Sequence, residues 1–221
     1  MTARRSALIL PAALVFLLAG CAPKTQSDVG AKAHPQSDEP QMASMDVGSR
    51  IKSIQGGIEQ LSKTVDQLPG TGSSGREEDT ANRALMRQCF DSLAQILPII
   101  EGENQTGDFR QGMRILETSR QQLANGSPDL AAEPTIAQGT RAVARLLASL
   151  NMYVFNNDAA ITEKNDAVQK TVDQLDLTHG VRSRVVSARA MRESVESLKL
   201  MSGNLAGRVA PATQPTTAPA K

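Results

Sequence analysis

Apolar residues recur at helical spacing through the middle of this 221-residue chain, and that periodicity limits the folds open to it. The first segment, residues 46–68, is the clearest because its apolar residues alternate steps of four and three. This heptad pattern predicts a helix with one apolar seam. The seam consists of Val47, Ile51, Ile54, Ile58, Leu61, Val65 and Leu68.

Further apolar stripes follow at similar spacing, and glycine, proline and asparagine separate them. The second segment, from Leu85 to Ile100, and the fourth, from Ile136 to Val154, have stripes too wide for one neighbour, so we expect both helices to be central. Pro98 should end or kink the second helix, and Pro134 should restart or bend the fourth. The connections are short, which places consecutive helices antiparallel. The sequence therefore predicts an all-α antiparallel bundle of about five to six helices over residues 46–205.

Composition supports a helical fold and argues against some functions. Aromatic residues make up only 2% of the chain and tryptophan is absent, which disfavours carbohydrate platforms and base-stacking surfaces. Of the 24 basic residues, 22 remain after Arg4 and Arg5 are removed with a signal, against 23 acidic ones. A formal charge of about −1 gives no reason to expect nucleic acid as a partner.

The first 21 residues carry a targeting pattern. Arg4 and Arg5 precede an apolar stretch, residues 7–19, which is shorter than the roughly 20 residues that a membrane-spanning helix needs. The stretch ends in Leu18, Ala19, Gly20 and Cys21. This N-terminus resembles the lipobox signal of bacterial lipoproteins. An ordinary cleaved signal, with the cysteine there by accident, is the alternative.

The resemblance implies a covalent anchor and a compartment. Residues 1–20 would be a signal peptide cut between Gly20 and Cys21, with Leu18, Ala19 and Gly20 recognised by the signal peptidase. The Cys21 thiol would carry a diacylglyceryl group and its new amino group a fatty acid such as palmitate, which together anchor a protein stably. The protein would then lie in the bacterial cell envelope, with its domain in the periplasm. Ala22 after the cysteine favours the outer membrane over the inner.

The segments that flank the bundle differ from it in composition. Residues 21–45 hold the cysteine and then a polar stretch interrupted by three prolines, which predicts a flexible tether. Residues 206–221 are rich in Ala, Pro and Thr, which predicts a disordered tail.

The heptad seam is the best candidate binding element in the mature chain. Its β-branched a positions suit a parallel dimer, so self-association or the binding of another envelope protein is one interpretation. The other is intramolecular docking onto the bundle. Few charges flank the seam, and Gly56 and Gly57 lower its helix propensity.

The residues of chemical interest allow mostly structural interpretations. We predict no catalytic residue and no metal site, because the mature chain has only His34 and His179 and one cysteine, Cys89, apart from Cys21. Cys89 lies in an apolar stripe, where we expect a buried thiol. His179 should interact with the exposed carbonyls at a helix end.

Charged clusters near two helices are weaker candidates. The last helix carries Arg182, Arg189 and Arg192 beside two glutamates, a pattern typical of a solvated face or of an anionic partner. The acidic loop at Glu101 and Glu103 misses the spacing of a calcium loop.

Two functional hypotheses follow, and neither is enzymatic. The first is a membrane-anchored scaffold or adaptor that binds a partner through apolar helix faces. The alternative is a periplasmic sensor or carrier of a small ligand, with its pocket between helices near Pro98 and Pro134. Apart from the acyl groups on Cys21, no cofactor is expected.

Overall fold

The computed structural model describes residues 46–68, 76–103, 106–126 and 132–209, and all regular structure in them is helical. These residues form six α-helices and one short 3-10 helix, as an all-α bundle requires. The helices are α1 (Val47–Asp66), α2 (Arg76–Glu101), α3 (Gly107–Asn125), α4 (Glu133–Tyr153), α5 (Ala159–Val172), a 3-10 helix (Asp173–Leu177) and α6 (Val181–Val209). None of the helices in these ranges is both long enough and apolar enough to cross a bilayer.

Hydrogen bonds between helix ends confirm that α1 to α4 run antiparallel. Arg50, at the start of α1, donates to the carbonyl of Ile99 at the end of α2, over 2.9 Å. Arg83, near the start of α2, donates to the carbonyl of Gly126, just after α3, over 2.8 Å. The hydroxyl of Thr106, which caps the start of α3, lies 3.5 Å from a hydroxyl near the end of α4.

The second half continues the same alternation. Asn204, near the end of α6, donates to a carboxylate oxygen of Asp158, the N-cap of α5, over 3.2 Å. Arg208 donates to the carbonyl of Val154, directly after α4, over 3.1 Å. The start of α1 and the ends of α2, α4 and α6 therefore meet at one end of the bundle. We call it the entry end, because the chain enters there at Val47 and leaves there at Val209.

The core lies where α2, α4 and α6 meet the other helices. Its largest fully buried side chains come mainly from α2 and α4, as their wide stripes predict. They include Phe90, Leu93, Leu97, Leu146, Leu147 and Leu150. The buried face of α6 is different, since it is built largely from serine and alanine with two methionines.

Three local features differ from the sequence-based expectations. Pro98 lies inside α2, which continues to Glu101, so the helix does not end at the proline, where the sequence predicted an end or a kink. Tyr153, counted in the apolar stripe of α4, is 51% exposed because it lies at the last position of the helix. The last helix continues to Val209, four residues beyond the expected boundary at 205.

Contacts with the entry end explain the longer α6. Leu205 packs against the core, and the guanidinium of Arg208 lies 5.3 Å from the centre of the buried Phe155 ring. A cation over an aromatic face is attracted to the ring, so these contacts hold the final turns of the helix. Residues 210–221, the rest of the expected tail, lie outside the described residues.

Candidate functional site

The residues expected to place the protein in a membrane lie outside the described part of the chain. These are Leu18, Ala19 and Gly20 of the expected peptidase site and Cys21 of the expected lipid anchor. The tether of residues 22–45 lies outside it as well.

Most of the heptad seam is buried within the bundle. Ile54, Ile58, Leu61, Val65 and Leu68 are between 1% and 5% exposed, whereas Ile51 is half-buried and Val47 is 48% exposed. Helix α1 packs against α2 and α6. This is the arrangement of the docking alternative, and self-association through the seam would require α1 to leave the bundle.

The glycine at position 57 explains how α1 approaches α2. A Cβ atom there would lie 2.6 Å from Cγ1 of Ile96, whereas a Cβ at the neighbouring Gly56 would have no atom within 4 Å. Gly57 thus lowers helix propensity in a place where close packing between two helices needs a residue without a side chain.

A groove between α1 and α6 is the strongest candidate for a binding site. Two adjoining depressions share Ser62 and follow the line where the helices meet. The floor is apolar, formed by Ile58, Val65 and Val195, and the walls are polar. We call it the α1–α6 groove; its polar walls are Gln55, Glu59, Ser62, Asp66, Arg192, Glu193, Glu196, Lys199 and Ser202.

The walls of the groove carry more acid than base. Four acidic side chains line it against two basic ones, Arg192 and Lys199. Both bases already have partners: Arg192 donates to the carbonyl of Leu68 over 2.7 Å, and Lys199 pairs with Glu196 at 2.7 Å. Hydrogen bonding from Lys63, outside the groove, lowers the pKa of Glu59. The groove surface therefore has fewer basic than acidic side chains, and both basic ones are already paired.

The carboxylate of Glu193 is only partly paired. Its Oε2 is shielded from solvent and has no hydrogen-bond partner, while its Oε1 lies 3.8 Å from Nε of Arg189. A shielded carboxylate oxygen without a donor is costly to keep, but because solvent does not reach it, a group that enters the groove does not reach it in this arrangement either. The groove combines an apolar floor with walls that carry four acidic and two basic side chains.

Cys89 is a buried thiol, as expected. It is fully shielded from solvent inside the core face of α2, and burial raises its pKa to about 12. A thiol with so high a pKa forms almost no thiolate at neutral pH and is a poor nucleophile.

His179 lies near a carboxylate at the end opposite the entry end. Its side chain is 91% exposed, and its Nδ1 lies 3.7 Å from Oε1 of Glu133. The other carboxylate oxygen of Glu133 accepts the N–H of Gly180 at 2.8 Å. This contact links the start of α4 to the start of α6, which differs from the helix-end role expected for His179.

Glu101, in the acidic segment at the end of α2, is bonded to the residue that caps α3. Glu101 is buried and accepts the N–H of Thr106 at 3.2 Å, and burial raises its pKa. Within the described ranges no three His, Cys, Asp or Glu side chains are grouped so that they could hold a metal ion.

Helices α2 and α4 are in close contact at the point where they cross. The ring of Phe90 lies directly over Gly139, so that a Cβ there would be 2.4 Å from Cε2 of the ring. Pro134 lies in the first turn of α4, where proline starts a helix without disturbing it.

The α1–α6 groove unites two elements that the sequence singled out separately, the heptad helix and the charged face of the last helix. Nothing in the sequence indicated that the two would be neighbours, because Leu68 and Arg192 are 124 residues apart. Comparison with protein-family models, curated proteins and solved structures finds no match to this chain.

Proposed function

We propose that this protein is a lipid-anchored adaptor of the bacterial cell envelope, whose bundle binds a basic segment of another envelope protein in the α1–α6 groove. Cys21 carries the acyl groups, and the domain lies in the periplasm, on the outer membrane by preference. The anchor rests on the lipobox-like sequence Leu18-Ala19-Gly20-Cys21. The adaptor role assigns no catalysis to the chain.

The excess of acidic over basic side chains on the walls of the groove, four against two, is the observation that carries the binding role. The apolar floor at Val65 and Val195 can contact small aliphatic side chains, and Asp66 is one of the acidic groups that face solvent. A helix or extended segment with lysine or arginine beside small apolar residues complements this surface in charge and shape.

The anchor is tested by acyl analysis of the purified protein. Cells grown with labelled palmitate should yield labelled protein that partitions into detergent. Cys21→Ala should lose the label, and Cys89→Ala, at the other cysteine of the chain, should keep it. A wild-type protein without acyl mass contradicts the anchor.

The groove is tested by site-specific photocrosslinking in intact cells. A photoreactive residue at Ser62, in the groove, should yield one defined adduct, whereas the same residue at the exposed Gln121 of α3 should not. Asp66→Lys should abolish the Ser62 adduct, because reversing this charge repels a basic segment. Identical adducts from both positions, or an adduct that survives Asp66→Lys, would overturn the proposed binding site.

A further inference from the structure

Large exposed apolar side chains are concentrated at one end of the bundle. In the described ranges five such side chains are prominent: Val47 (48% exposed), Met152 (52%), Tyr153 (51%), Val209 (46%) and Leu177 (85%). All except Leu177 lie at the entry end. Single exposed apolar residues are ordinary on a protein surface, but a group at one end points to an interaction.

The contacts that define the entry end show that these four residues lie at the same level along the bundle axis. Val47 is the first residue of α1, one turn from Arg50, which reaches the end of α2. Met152 and Tyr153 close α4, and Val209 closes α6 beside the Arg208 bond to Val154. All four therefore lie within about a turn of the same end.

The covalent path of the chain connects this end to Cys21. On the proposed lipid anchor, the polar segment between Cys21 and Val47 would span about 27 Å on average if flexible. Helix α6, with 29 residues, is about 44 Å long. Because this average span is shorter than the helix, the entry end would lie closer to the lipid, on average, than the opposite end. The local concentration of lipid surface at that end is therefore high.

The chemistry of the entry end fits a lipid head-group layer. Tyrosine places an apolar ring and a polar hydroxyl at membrane interfaces, and Met152 and Val209 add purely apolar surface. The surface beside Tyr153 includes both Asp108 and Arg145, so the local charges have both signs.

We infer that the entry end of the bundle rests on the bilayer, with Tyr153, Met152, Val209 and Val47 in its head-group region. The inference rests on the lipid anchor of the proposed function. It adds an orientation, in which the helices and the α1–α6 groove extend away from the membrane surface. Leu177 then lies at the end of the bundle that is farther from the lipid.

The absence of tryptophan from the chain makes a direct test available. Tyr153→Trp and Leu177→Trp each introduce a single tryptophan, at opposite ends and both at exposed positions. The full-length lipidated variants are reconstituted in phosphatidylcholine vesicles with brominated acyl chains, which quench nearby tryptophan. We expect the Tyr153→Trp emission to shift to shorter wavelength and lose most of its intensity, and the Leu177→Trp emission to stay as in detergent-free buffer. Val209→Trp should behave like Tyr153→Trp.

Flotation of the same vesicles separates the two proposals. Protein that does not float overturns the anchor and, with it, the orientation. Protein that floats with Tyr153→Trp and Leu177→Trp equally quenched, or equally unquenched, leaves the anchor standing and overturns the orientation. A Tyr153→Trp shift in native membranes but not in pure lipid vesicles would also overturn it, because a protein would then cover this end.

Discussion

Replacing Gly139 with alanine tests how tightly α2 and α4 are packed. The new Cβ would lie 2.4 and 2.5 Å from Cε2 and Cζ of Phe90, and 3.1 Å from Cβ of Ser119. Carbon atoms in contact prefer about 3.5–4.0 Å, so the ring or the helix would have to move by about 1 Å. Phe90 is fully buried, which leaves its rigid ring no solvent to move into.

The expected cost is the balance of two terms. Overpacking a filled core costs about 1–3 kcal/mol, whereas alanine in place of glycine in a helix gains up to about 1 kcal/mol. Because the obstacle is an aromatic ring and not the end of a flexible chain, we expect a net loss of about 1–2 kcal/mol in the free energy of unfolding. For a domain of this size each kcal/mol lowers the melting temperature by roughly 2–4 °C.

The matched control is Gly56→Ala on α1, where no atom lies within 4 Å of the new Cβ. That variant keeps the propensity gain without the clash and should be more stable than wild type by about 0.5–1 kcal/mol. Urea unfolding followed by far-ultraviolet circular dichroism gives both values. If Gly139→Ala is as stable as Gly56→Ala, the close contact between Gly139 and Phe90 does not exist in solution.

Three further predictions concern polar groups and the thiol. Asn165→Ala should lower the free energy of unfolding by about 1–3 kcal/mol, because the buried hydroxyl of Ser197 loses its acceptor at 2.6 Å. The double variant with Ser197→Ala should lose less than the sum of the two single losses. Losses that add strictly would contradict this coupling. Cys89 should not react with a maleimide at pH 8 until urea unfolds the protein, since burial raises its pKa to about 12; rapid labelling of the folded protein would show that it is accessible. Hydrogen bonds from the N–H of Ile161 and from Asn204 lower the pKa of Asp158. The ionised carboxylate therefore contributes to the free energy of unfolding. This contribution is complete above the ordinary aspartate pKa of about 3.9 and is lost as the pH falls through the lowered pKa. Asp158→Ala should therefore reduce the urea midpoint at pH 7, and the difference from wild type should vanish in acid; a difference that persists there would contradict this role.

Local sequence patterns were sufficient to predict the helices and most of their buried faces. The heptad in α1 correctly selected Ile54, Ile58 and Leu61 as residues of an apolar face, because burial on one side of a helix leaves a period that a short window reveals. Helix α3 ends at Asn125 with Gly126 after it, in agreement with the glycine and asparagine that separate the apolar stripes in the sequence. Such signals lie within a few residues of the structure that they predict.

The central position of α6 was not predicted, for a chemical reason. Ser183, Ser187, Ser194 and Ser197 are all at most 3% exposed, and Ser194 satisfies its hydroxyl by donating to the carbonyl of Ala190 at 2.7 Å. A serine that bonds to its own helix can be buried, but in the sequence it has the appearance of a polar surface residue.

The sequence by itself determined that this chain is helical, which apolar stripes its helices carry, and which segment resembles a lipoprotein signal. Only the tertiary structure decided which faces meet: Phe90 over Gly139, α1 beside α6, and four exposed apolar side chains at the end where the chain enters. The physical reason is range. Helix formation follows from residues three or four apart, whereas the groove depends on contacts such as that between Arg192 and Leu68, which follow from the packing of the whole bundle.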